Sequence, residues 1–175
     1  MKTITILLAF LIVAPASAHA QRLQLESLDR LADEAAEVVN LTIDAGMLKF
    51  AGAFLKGQGD EAELKALLSG LEGIYIRTYE FDRERSFSTE LGAVRKQLAG
   101  QSWSRLVTVD STRERELVEV YSWLEGGASR GLAIVVAQPA ELTIVNIVGP
   151  IDLEKLGALE GLGVPRLPAT PAPEP

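Results

Sequence analysis

Four apolar, strand-like runs follow one another in the second half of the chain with almost nothing between them, and that spacing constrains the fold more than any other feature. They cover residues 103–109, 117–124, 131–137 and 142–148, and the segments separating them are 110–116, 126–130 and 138–141. A parallel crossover needs a dozen residues or more, so strands joined by so little chain are antiparallel neighbours. The second half therefore reads as a β-meander. Residues 132–137 (LAIVVA) are apolar on both faces, which places this strand centrally. Leu132, Ile134 and Val136 should share one face and Ala133 and Val135 the other, with residues 142–148 alongside.

The first half alternates short helices with strands. Leu28, Leu31, Ala32 and Ala35 recur at helical spacing, predicting an amphipathic helix over 26–36. Residues 37–43 (EVVNLTI) read as a short strand. Asp44 is a candidate N-cap for a helix whose stripe is Met47, Phe50, Ala51, Phe54 and Leu55. Asp60 with Glu63 fits a capping box before Leu64, Leu67, Leu68 and Leu71. Residues 72–82 form a long strand, with Tyr75, Arg77, Tyr79 and Phe81 on one side. Ser86 or Ser88 caps a helix carrying Leu91, Val94 and Leu98, and Asp152 caps a last short one with Leu153, Leu156 and Leu159. The expected fold class is α+β: a mainly antiparallel sheet with helices packed on one face, in a single domain over 21–163.

The termini read differently. Lys2 precedes eleven residues, 4–14, broken only by Thr5, and small residues stand at Ala18 and Ala20. That is the three-part form of a secretory signal over residues 1–20, cut between Ala20 and Gln21. The run is too short to span a membrane, which takes about 20 apolar residues, so the mature chain is expected to be soluble, without a transmembrane anchor. Residues 164–175 hold five of the eight prolines and little to bury, and read as a disordered tail.

Composition excludes several chemistries. Lys plus Arg is 17 and Asp plus Glu 24, a net charge of −7 with no basic cluster, which argues against nucleic acid as a partner. There is no cysteine, and the single histidine, His19, lies in the leader. The mature chain then has no Ser-His-Asp triad, no His or Cys metal ligand and no disulfide. Gly127-Ala128-Ser129-Arg130-Gly131 matches the hydrolase elbow but lies between two strands rather than before a helix, so its glycines serve a hairpin turn. Glu80, Asp82 and Glu84 alternating with Arg83 and Arg85 read as a solvated strand end. No catalytic residue, cofactor or metal is expected.

The candidate for recognition is the face of Tyr75, Arg77, Tyr79 and Phe81, since tyrosine and arginine are enriched at interface hot spots. The competing reading is a covered face in which Arg77 pairs with a carboxylate.

The runs LDRLADEAAEVVNLTIDAGMLKFAGAFL, GLEGIYIRTYEFD, SWSRLVTVDS and GLAIVVAQPAELTIVNIVGPIDLEKLGAL carry a resemblance. Over roughly residues 24–160 the chain resembles a family of exported bacterial cell-envelope proteins known only as a domain of unknown function. The resemblance implies an α+β domain and an envelope location. Some relatives are encoded beside extracytoplasmic stress-response regulators, which points to envelope stress signalling. Many relatives are lipoproteins; this chain lacks their cysteine. The expectation is an exported, non-enzymatic envelope protein, periplasmic or extracellular, that binds another envelope protein. The alternative is a small-ligand or lipid-binding module with an apolar cleft between sheet and helices.

Overall fold

The computed structural model describes residues 22–152 apart from Lys56 and Gln101. A 3-10 helix (Glu26–Asp33) is followed by β1 (Glu37–Asp44), α1 (Ala45–Ala53), α2 (Asp60–Gly70), β2 (Gly73–Glu80) and α3 (Ser88–Leu98). Then come β3 (Trp103–Ser111), β4 (Glu116–Glu125), β5 (Ala128–Gln138) and β6 (Glu141–Val148). The strands form one sheet in the order β1-β2-β6-β5-β4-β3, antiparallel throughout. The architecture is α+β, and β3 to β6 are the meander that the short connectors dictate. Gly126 and Gly127 turn the chain between β4 and β5 at φ 59° and 83°, a region closed to most side chains.

Side chains alternate across β5 as expected and divide the core in two. Leu132, Ile134 and Val136 join Leu48, Leu71, Val120, Val145, Ile147 and Ile151 on one face. Ala133, Val135 and Ala137 join Tyr79, Tyr121, Leu142, Ile144 and the 3-10 and α3 leucines on the other. The helices are accordingly shared between the faces rather than collected on one. The 3-10 helix and α3 supply Leu28, Leu31, Leu91, Val94 and Leu98 to the tyrosine-bearing face, while α1 sends Leu48 to the opposite face.

Four local readings are corrected. α3 has Phe87 at its N-cap, without a side-chain cap, rather than Ser86 or Ser88. The first helix is a 3-10 helix that stops at Asp33, because its buried leucines, Leu25, Leu28 and Leu31, recur every third residue. The helix over 60–70 has Gly59, which has no side chain to cap it, at its N-cap, so Asp60 is the first helical residue rather than the cap of a capping box. β2 ends at Glu80, two residues before the expected end, and Phe81 lies just beyond it. The leader with its Ala20/Gln21 cut, the helix expected after Asp152 and the proline-rich tail lie outside the described residues.

Candidate functional site

β2 is the second strand from the sheet margin, and the segment before β1 lies across it. That arrangement divides the four residues singled out for recognition. Tyr79 is 1% and Phe81 8% exposed. Phe81 packs against Phe87 at 5.7 Å and beneath the Arg85 guanidinium at 4.5 Å. Tyr75 and Arg77 are half-buried: the Arg22 guanidinium stands 4.3 Å over the Tyr75 ring, and Arg77 meets Asp29 of the 3-10 helix at 3.6 Å. The four are therefore not one exposed face: Tyr79 and Phe81 are buried, and Tyr75 and Arg77 keep part of their surface accessible. The Tyr79 hydroxyl finds no hydrogen-bond partner among the described residues. Its burial raises the phenol pKa, opposed by the charge of Arg77.

The exposed apolar surface lies next door, on β1 and α1. β1 pairs with β2 from Glu37↔Glu80 to Asp44↔Gly73 without a register shift. Among the described residues its other margin faces no strand. All its residues are exposed except the half-buried Ile43, and Val38, Val39 and Leu41 stand at 40–41%. Asp44 ends the strand and caps α1, its Oδ1 accepting from the Met47 amide at 2.9 Å. α1 (AGMLKFAGA) carries a single charge, Lys49. Leu48 and Gly52 form its buried side, and a Cβ at Gly52 would come 3.9 Å from Lys65 of α2. The outward side holds Met47, Phe50 and, just past the helix, Phe54, exposed by 53%, 68% and 71%. The Phe50 and Phe54 rings meet edge to face at 4.8 Å. A helix apolar on every side is ordinarily covered on every side; the described residues cover this one on one side.

A row of carboxylates borders the same surface. Glu37 lies opposite Glu80, and Glu80 opposite Glu141. Neighbouring strands are about 4.8 Å apart, so three carboxylates line up across β1, β2 and β6. Like charges directly opposite one another weaken strand pairing. Thr143 donates to Glu141 at 2.8 Å, but among the described residues neither Glu37 nor Glu80 has an ion-pair partner. By strand alternation Glu37, Val39 and Leu41 share one face of β1, the face on which Ile43 packs.

Other polar groups are engaged within the fold. Glu119, 1% exposed, accepts from Arg95 at 2.8 Å and Arg105 at 3.4 Å. Glu90, 4% exposed, lies between Arg30 at 3.5 Å and Arg85 at 4.0 Å. Ser129 is buried in β5 with its hydroxyl 2.7 Å from that of Ser122, so the Gly-x-Ser-x-Gly sequence sits in a hairpin. Glu84 is bound by both guanidinium nitrogens of Arg115, at 2.7 and 2.8 Å, which lowers its pKa. An open cleft of about 400 Å³ beside α3 includes Arg85, Arg95 and Arg115, each already held by a glutamate. Another, of about 450 Å³, lies between α2 and the β4–β5 turn and is mostly apolar. Among the described residues no group of three or more carboxylates is placed to hold a metal ion, and no helix is long and apolar enough to cross a membrane.

The β1–α1 surface was not singled out in the sequence. The signal was there: 38–55 contains only two charges, Asp44 and Lys49, and is apolar at both strand and helical spacing.

One family model, described as Domain of unknown function (DUF4252), matches residues 32–159. No curated protein and no solved structure matches the chain.

Proposed function

We propose that this chain, which belongs to the DUF4252 family, a domain of unknown function, is an exported, non-enzymatic cell-envelope protein that works by binding another envelope protein. The supporting observation is the outward side of α1 beside the open margin of β1: Met47, Phe50 and Phe54 at 53–71% exposure, continuous in sequence with Val38, Val39 and Leu41. Large apolar side chains grouped on a surface and rimmed by polar residues mark sites of association. The surface lies outside the tyrosine strand expected to carry recognition. Export rests on the leader at residues 1–20.

The test is site-specific photo-crosslinking. A photoreactive phenylalanine at position 50 should capture envelope protein, whereas the same group at position 106 on β3 should capture at least tenfold less. Equal yields at the two positions would defeat the reading. N-terminal sequencing of the exported protein should begin at Gln21; recovery of Met1 from an envelope fraction would defeat the localisation.

A further inference from the structure

We propose that the open margin of β1 takes up an extended segment of a partner protein as a seventh strand. That segment has apolar side chains at alternate positions and a lysine or arginine at the end that meets Glu37 and Glu80. This rests on the protein-binding reading above and names the form and chemistry of what is bound.

The backbone argument comes first. A strand pairs through both margins, and β2 uses only one margin of β1. The remaining eight-residue margin is a template for main-chain hydrogen bonds. Natural edges are usually blunted by a bulge, a proline or an outward lysine. β1, EVVNLTID, has none of these. Next come the side chains. Val39 and Leu41 are two residues apart on one face, so alternate residues of an added strand would lie beside them. Lastly, Glu37 and Glu80 face each other without a cation among the described residues, and Glu141 extends the row. A basic side chain placed beside Glu37 would relieve that repulsion.

The same charges disfavour the other occupants. A second copy pairing antiparallel about a twofold axis would bring the Glu37 end of each strand beside the Asp44 end of the other, between two net-negative chains. An anionic lipid surface would meet the same carboxylates with like charge.

The experiment uses the mature protein, residues 21–175, and a labelled synthetic peptide of eight residues, alternating valine and threonine with lysine at each end. Anisotropy should show saturable binding, and hydrogen exchange should slow in β1 but not in β3. Replacing both lysines by glutamate changes only the probe, so folding is not at issue, and should weaken binding at least tenfold. The variant Glu37→Lys/Glu80→Lys should reverse the preference. Binding blind to peptide charge, protection away from β1, or no binding by either peptide would overturn the proposal. So would dimerisation of the free protein through β1, or adsorption to anionic phosphatidylglycerol vesicles in place of peptide. Crosslinking from position 50 without protection of β1 by the peptide would leave the protein-binding reading standing and remove only the added strand.

Discussion

The two margins of the sheet are built differently. At β3 the register slips between Arg105 and Val107, so Leu106 is an extra residue on the margin strand. A bulge of this kind twists a margin and spoils it as a template. β3 is also fastened from behind: Trp103 and Trp123, register partners, meet edge to face at 5.5 Å, and Arg105 reaches the buried Glu119. β1 has the regular register and the exposed valines, and its like charges go unanswered. One margin is broken by a bulge and the other is regular along its whole length, which supports contact at β1 rather than at both.

The largest effect should come from the bulged side. Arg95→Ala combined with Arg105→Ala leaves Glu119 buried without a counter-charge and should cost about 3–5 kcal/mol in urea unfolding. A loss below about 1 kcal/mol would mean that β3 is not fastened through this carboxylate. Next, Tyr79→Ala, behind β1, should cost about 3–5 kcal/mol as a buried aromatic truncation. Tyr75→Ala should cost no more than about 1.5 kcal/mol, because its ring is only half-buried. Equal losses would restore the four-residue face as a unit.

A finer contrast lies in two phenols, one behind each margin, since Tyr79 is paired with Val38 and Tyr121 with Arg105. Burial raises both pKa values, and the charge of Glu119 adds to the rise at Tyr121. A raised phenol pKa means that the folded chain keeps its protons when the unfolded chain has lost them. Stability is then full below about pH 10, the ordinary phenol value, and falls as pH rises through the folded values. Tyr79→Phe removes an unsatisfied hydroxyl and should stabilise by up to about 1 kcal/mol, whereas Tyr121→Phe should lose about 0.5–1.5 kcal/mol. Thermal unfolding at pH 7 and pH 10.5 checks both signs. A destabilised Tyr79→Phe would show that its hydroxyl has a partner.

The smallest effects on stability should come from the open side. Val39→Thr, Leu41→Thr and Phe50→Ser alter exposed positions and should each shift stability by no more than about 0.5 kcal/mol. Phe50→Ser should nevertheless lower capture of envelope protein by a photoreactive group at position 47, while Leu106→Lys should not. Unchanged capture on Phe50→Ser would erase the distinction between the margins.

Much of the sheet was legible in the sequence. Connector length revealed the meander, and the alternation within LAIVVA placed β5 with Leu132, Ile134 and Val136 opposite Ala133 and Val135. Asp44 was legible as a cap because a short oxygen-bearing side chain stood just before a helical stripe. What periodicity could not supply was direction. It grouped Met47, Phe50 and Phe54 correctly, but in a helix apolar all round the inward side is chosen by fit, and compact Gly52 with Leu48 lies closer to its neighbours than two phenylalanines would. Leu28, Leu31, Ala32 and Ala35 fitted an α-helix, yet burial of Leu25 completes a three-residue repeat that such a template passes over. Glu119 lies between Leu117 and Tyr121 on the inward face of β4. Two-residue spacing could have exposed it as buried, but the arginines that hold it come from α3 and β3 and cannot be found locally.

The order of the strands has a consequence for when the molecule can be completed. β2 ends at Glu80, but its inner neighbour β6 begins only at Glu141. A ribosome or a translocation pore that releases the chain from its N-terminus delivers β1 and β2 long before the strand that joins them to the rest. Until Val148 has emerged, nothing can join β1 and β2 to β3, β4 and β5, because the strand that pairs with both groups is the last to arrive.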